Sequence, residues 1–295
     1  MRLSLLIYCS LAVFFGVASK PAGAQAPGAS RNVRPFVLGR IDSIRSVALG
    51  ETRILNIYIP EGYNALDTVR YPVVYLLDGS ADEDFIHISG LYQYYSFPWI
   101  RRVPPTIVVG IASVDRRRDF TYPTQIAKDK QRFPTTGGSA RFIRFIEEEL
   151  QPFIQQKFKT NTSRTLIGQS LGGLLATEIL FSKPALFNRY IIVSPSLWWD
   201  NGSLLERKPE LLSADFKEPL EVYVGVGKEG LVPGDHPRVM EVDANLLADL
   251  LRQSASKTVR VHFDYLPEED HATIMHPAVM HALRFFWMAG SGISN

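Results

Sequence analysis

An α/β fold with a mostly parallel central sheet follows from three features of this 295-residue chain. Short, unbroken apolar runs recur along it, as strands covered on both faces require. Amphipathic stretches with helical spacing separate those runs. The first two strand-like segments alternate apolar with polar residues instead, the pattern of half-buried antiparallel strands at a sheet edge. The expectation is a single sheet with helices on both faces and antiparallel strands at its start.

The elements can be read in order. Residues 1–24 carry Arg2, an apolar stretch over 3–17 and then Ala22-Gly23-Ala24 before Gln25, which is the layout of a cleaved export signal. Residues 25–34 are small and polar and read as a flexible leader, and 35–290 as a single domain. Within that domain, 36–47 and 52–59 are the alternating strands. The runs 71–77, 106–111, 164–167, 190–193, 220–226 and 259–265 are the buried ones. Helical spacing predicts helices over 139–158, 171–181, 236–253 and 273–288. Pro152 lies inside the first of these and should kink or split it, because it has no N–H to donate and its ring crowds the preceding turn.

Charge and cysteine content exclude several functions. The whole chain has 32 basic and 30 acidic residues, and loss of 1–24 removes Arg2 and Lys20 but no acid. A mature chain of zero formal net charge has no electrostatic footprint for nucleic acid. The single cysteine, Cys9, leaves with the signal, so disulfides, thiolate–metal sites and cysteine nucleophiles are excluded. No metal-ligand spacing is present, and no cofactor is expected. The reading is a periplasmic or secreted protein with no stable membrane insertion after signal cleavage.

Gly168-Gln169-Ser170-Leu171-Gly172 is a G-x-S-x-G. It follows the strand 164–167 and opens the helix 171–181, the strand–turn–helix setting that presents a serine hydroxyl at the top of a sheet. The glycines allow helix and strand to pass closely beside a strained turn. A serine needs a base, and in this setting the chain order is Ser, acid, His. Of six histidines, His87 precedes Ser170, His236 begins a helix, His262 lies in a strand, and His276 and His281 lie in the last helix. His271 alone sits in a polar loop between the last strand and that helix, so it is the expected general base. The acid should follow the strand 220–226; Glu229 lies there, with Asp235 its rival and Asp264 and Asp270 behind them. The oxyanion donors should be the N–H of Leu171 and one from Gly79, Ser80 or Ala81.

With these residues in place the chain resembles the esterase D-type group of the α/β-hydrolases, a set that includes siderophore esterases for enterobactin, salmochelin and bacillibactin. The stretches YPVVYLLDGS (71–80), GQSLGG (168–173), FNRYIIVSPSLWWD (187–200), VYVGVG (222–227) and DHATIMHPA (270–278) carry the likeness, in family order over roughly 35–288. The resemblance implies the α/β-hydrolase fold, with nucleophile Ser170, histidine His271 and acid Glu229. Family members often place two residues between the glycine and that glutamate, whereas only Lys228 intervenes here, which keeps Asp235 open. The resemblance further implies substrate-facing roles for Trp198 and Trp199 and for Arg118, which begins an R-D-x-T stretch. Two adjacent tryptophans are costly to expose, so at least one should cover the core.

The expected activity is therefore that of an exported serine esterase working through an acyl-enzyme on a small-molecule ester. A siderophore-type trilactone, anionic and aromatic, would suit Arg118 and the tryptophan pair. Acyl transfer to an alcohol, or a binding protein on a hydrolase scaffold, are the competing readings.

Overall fold

Apolar runs form the strands of the computed structural model, which describes residues 34–232 and 237–288. In chain order the strands are β1 (Arg40–Arg45), β2 (Thr52–Tyr58), β3 (Tyr71–Leu76), β4 (Ile107–Ile111), β5 (Thr160–Gln169), β6 (Arg189–Val193), β7 (Leu220–Gly227), β8 (Leu231–Val232), β9 (Arg238–Val239) and β10 (Val259–Leu266). The α-helices are α1 (Phe85–Ser96), α2 (Arg116–Asp119), α3 (Ala127–Arg132), α4 (Ser139–Arg144), α5 (Gln151–Lys157), α6 (Leu171–Ser182), α7 (Met240–Arg252) and α8 (Met275–Met288).

Eight strands form the main sheet in the order β1-β2-β4-β3-β5-β6-β7-β10, and β8 and β9 form a separate two-stranded ribbon. β1 pairs antiparallel with β2, and β2 antiparallel with β4. All other neighbours in the main sheet are parallel. The alternation of 36–47 and 52–59 thus marks the antiparallel edge, although β1 itself is confined to Arg40–Arg45. Every residue of β3 and of β4 is buried, as a strand covered on both faces demands.

The pleat divides the core into two layers. Val73, Tyr75, Leu166, Ile192 and Val224 face the side packed by α4–α7, and Val74, Ile167, Ile191 and Tyr223 face the side packed by α1 and α8. Each fully buried aliphatic or aromatic side chain contributes about 1.5–3 kcal/mol by leaving water. The described residues from Val37 onward cluster as one compact unit. Among the described residues no helix is long and apolar enough to cross a membrane.

One helical stretch follows the sequence reading and others depart from it. The stretch 139–158 is split, as Pro152 requires: α4 passes into a π-helical turn over Phe145–Leu150, and α5 restarts with Pro152 in its first turn. The helix expected from 236 begins only at Met240, because Arg238 and Val239 pair with β8; His236 lies outside the described residues. α1 was not foreseen. The export signal over 1–24 and most of the leader also lie outside the described residues.

The connection from β3 leads to β4 on one side, whereas that from β5 leads to β6 on the other. Adjacent parallel strands whose connections diverge leave a crevice at their C-terminal ends, the usual ligand position in an open α/β sheet. The segments entering that crevice are the loop after Leu76 and the turn at Ser170.

Candidate active site

Ser170 sits between β5 and α6 with φ 58° and ψ −118°, a backbone region costing about 1–3 kcal/mol for a residue with a Cβ. Its surroundings hold it there. Its N–H donates to the Val193 carbonyl (3.0 Å), and its own carbonyl accepts from Leu174 (2.9 Å) and Ser196 (3.0 Å). A Cβ on Gly168 would lie 2.4 Å from the Gly172 carbonyl oxygen, and one on Gly173 3.0 Å from Pro195 Cα. Gly168 and Gly173 are therefore the glycines that the close strand–helix approach needs. Gly172 itself has ordinary clearance. The Ser170 hydroxyl pairs with that of Ser196 at 3.2 Å.

His271 stands in the loop after β10, half exposed, with its Nδ1 2.5 Å from Glu229 Oε2. Glu229 follows β7 and is almost fully covered, and its second oxygen accepts the Ser194 hydroxyl. Burial pushes the Glu229 carboxyl up, but the hydrogen bonds from His271 and Ser194 outweigh it and hold the group below its ordinary range. Gly227 makes the approach of the two loops possible, since a Cβ there would lie 2.6 Å from the Glu269 carbonyl oxygen. Lys228 N–H donates to that same carbonyl at 2.7 Å, and Gln169 Nε2 to the His271 carbonyl at 2.5 Å. Glu241, at the start of α7, accepts the N–H groups of Glu229 and Gly230 at 2.9 Å each.

The other candidate acids and histidines have separate partners. Asp264 accepts from Tyr223 (2.6 Å) and lies 2.8 Å from His281. Asp270 caps its own turn by accepting from Ala272 (2.8 Å) and Thr273 (3.1 Å). His262 stacks on Phe285 with ring centroids 4.7 Å apart, and His87 lies against His276. Asp235 lies outside the described residues.

Gly79 cannot supply an oxyanion N–H, because that group donates to the Ile111 carbonyl at 3.0 Å. Its lack of a side chain serves a different end: a Cβ would lie 2.3 Å from Gly110 Cα, so the loop lies flush on β4. Ser80 and Ala81 are left as the candidate loop donors to stand with Leu171.

The basic residue reaching the cleft also differs from expectation. Arg118 is tied to Asp119 (2.8 Å) and Glu51 (2.6 Å) and is not among the residues that line the cavity. Its two predecessors, Arg116 and Arg117, line a cavity of about 640 Å³ together with Ser170, His271, Arg132, Phe133 and Trp198. Asp115 accepts the Arg118 N–H at 3.0 Å and starts the short helix α2, whose turn sends the three arginines in different directions. Arg117 and Arg132 both lie over the Phe133 ring, at 4.9 and 5.2 Å, and Arg132 is 5.6 Å from Trp198. The tryptophans part company: Trp198 lines the cavity, whereas Trp199 is 0% exposed and donates Nε1–H to the Tyr122 carbonyl at 2.9 Å. A second lobe of about 430 Å³ meets the first at Ser170 and His271 and is walled by Asp78, Glu83, Asp84, Arg116 and Gln169.

A mostly parallel sheet with a strained serine at its switch point and a histidine–carboxylate pair on the same cleft defines the α/β-hydrolase class. The family model described as "Putative esterase" matches residues 46–272, and the chain belongs to that family. It is an esterase. The ferri-bacillibactin esterase BesA of Bacillus subtilis is 31% identical over 254 residues, covering 80% of this chain and 85% of the relative. The crystal structure of an IroE-like serine hydrolase from Shewanella oneidensis superposes with a TM-score of 0.74 at 33% identity, covering 85% of this chain and 80% of that one. The BES protein of Bacillus cereus superposes with a TM-score of 0.73 at 31% identity, covering 88% and 99%.

Proposed function

We propose that the protein hydrolyses anionic, aryl-bearing esters of the siderophore type through a Ser170–His271–Glu229 triad and an acyl-enzyme. The observation that carries the reading is the shared cavity: Ser170, His271 and Glu229 border the same space as Arg117, Arg132, Phe133 and Trp198. Flat aromatic walls backed by guanidinium groups suit a planar, negatively charged substrate, because the rings supply contact area and the cations supply charge. The similarity to BesA, named as a ferri-bacillibactin esterase, supports the same substrate class.

In this mechanism the Ser170 hydroxyl turns from Ser196 toward His271 and attacks the ester carbonyl. Its proton passes to His271 Nε2, while Glu229 accepts the Nδ1–H, fixes the tautomer and stabilises the imidazolium. The carbonyl electron pair moves onto oxygen, where the N–H groups of Leu171 and Ser80 receive it. Collapse of this adduct breaks the C–O bond, and the alcohol departs with the proton from His271. Water then attacks the acyl-serine with His271 again as base, releasing the acid and restoring Ser170.

Residues 1–24 are proposed as the export signal, 25–34 as a leader and 35–290 as one catalytic domain, so that the enzyme acts in the periplasm or outside the cell. N-terminal sequencing of the exported protein should begin at Gln25, and retention of 1–24 would refute export by cleavage. For substrate, the purified protein should convert a ferric catecholate trilactone to ring-opened product, followed by liquid chromatography. An intact trilactone alongside rapid turnover of p-nitrophenyl butyrate would sink the siderophore assignment. Unchanged turnover in Ser170→Ala would sink the triad.

A further inference from the structure

The esterase reading leaves Arg116 without a role, although it borders both lobes of the cleft. Its guanidinium is committed to Asp78, with Nε donating to Oδ1 at 3.1 Å and Nη2 to Oδ2 at 2.9 Å. Ser113, from the same loop after β4, donates its hydroxyl to Oδ1 at 2.7 Å. Asp78 has φ 50° and directly precedes the Gly79–Ser80 turn, so its side chain fixes the backbone from which the Ser80 N–H projects.

The position of that carboxylate matters for the chemistry. A Cβ built on Gly172 would lie 3.6 Å from Asp78 Oδ2, so the acid rests against the first turn of α6, the turn that Leu171 opens. A full negative charge there repels the oxyanion that the same N–H groups must stabilise. At an effective dielectric of about 20, like charges about 4 Å apart repel by about 4 kcal/mol, and even two-thirds of that slows a reaction roughly a hundredfold. Arg116 supplies the compensating charge. Being 38% exposed on its side chain, this ion pair adds little to folding stability, which separates its catalytic effect from a structural one.

We infer that Arg116 is a positioning residue that cancels the Asp78 charge beside the oxyanion hole and holds the Ser80 loop in place, rather than a partner for the substrate's anionic groups. The inference rests on the esterase reading. It is tested with a neutral ester, p-nitrophenyl butyrate, on the parent, Arg116→Gln, Asp78→Asn and the double variant, with urea midpoints as a folding control. Arg116→Gln should lower kcat about a hundredfold and change KM less than about twofold, because it leaves a bare carboxylate by the developing oxyanion. Asp78→Asn should cost less than about tenfold, since it removes the charge along with part of the clamp. The double variant should recover to within about threefold of Asp78→Asn, which a loss of folding would not allow. Should Arg116→Gln fold poorly, Arg116→Lys carries the comparison, keeping the charge and losing the fork; its kcat should lie between parent and Asp78→Asn.

Two results would overturn the inference. One is a parent-like kcat in Arg116→Gln on the neutral ester, with KM raised only for anionic esters, which would make Arg116 a substrate contact. The other is a double variant no faster than Arg116→Gln. A parent that neither turns over the ester nor takes a fluorophosphonate on Ser170 would instead remove the esterase reading, and this inference with it.

Discussion

Ser194 and His271 grip the two oxygens of Glu229 from opposite directions, the hydroxyl on Oε1 and the imidazole Nδ1 on Oε2. Two residues further along, Ser196 meets the Ser170 hydroxyl. A single short loop after β6 thus touches both ends of the proposed triad.

Removing the triad members one at a time should grade their roles. Ser170→Ala and His271→Ala should each reduce p-nitrophenyl butyrate turnover by about 10⁶-fold, and Glu229→Gln by about 10⁴-fold, in line with other serine hydrolases. Turnover in Glu229→Gln within threefold of the parent would transfer the acid's role elsewhere, Asp235 first.

The Glu229 carboxyl also sets an acid limit on stability. Its folded value lies below the ordinary 4.5, so the stabilisation it brings is complete above that pH and is lost as pH falls through the lowered value. Urea midpoints of the parent and Glu229→Gln should therefore differ at neutral pH and converge in acid. A gap that widens on acidification would contradict the proposed hydrogen bonding.

Arg117 and Arg132 flank the Phe133 ring, and among the described residues neither has a carboxylate ion pair like that of Arg116 with Asp78. Replacing either with Gln should raise KM for anionic aryl esters about tenfold, the effect of losing about 1.4 kcal/mol of binding, and leave kcat on neutral esters unchanged. Equal effects on neutral and anionic esters would remove these arginines from substrate recognition.

Below the site, Arg53 and Asp119 form an ion pair with side chains 1% and 2% exposed. Asp119→Ala leaves the interior guanidinium with the part-exposed Glu51, 2.6 Å away, as its remaining counter-charge among the described residues, and should cost about 3 kcal/mol of stability by urea titration. Arg118, also bound to Asp119, should loosen α2, raising KM for anionic esters as well. A loss below about 1 kcal/mol would show that water reaches the pair.

The strands were legible because a strand buried on both faces must be continuously apolar, and the 71–77 and 220–226 runs leave no other option. That Ser170, Glu229 and His271 would meet at one cleft was legible for a related reason: chain order and strand ends limit where each can fall. α1 was obscured by Ser89 and Gly90, although Phe85, Ile88, Leu91, Tyr92 and Tyr95 all turn inward. The partners of the Gly79 N–H and of the Arg118 guanidinium were hidden because both are distant in sequence. Which N–H is free is decided by Ile111, and which arginine faces the cleft by the grip of Glu51 on Arg118. Arg132 and Phe133 carry no motif and reach the site only through the fold.

Among the described residues β10 is the terminal strand on its side of the sheet, pairs only with β7, and leads directly into the loop bearing His271. On the proposed triad, a nascent chain already long enough to display Ser170 still lacks its base until this last strand has left the ribosome and docked in register. Truncated products ending before residue 271 are therefore inert esterases by construction. Recovery of turnover after denaturation likewise reports closure of the far edge of the sheet rather than formation of the elbow.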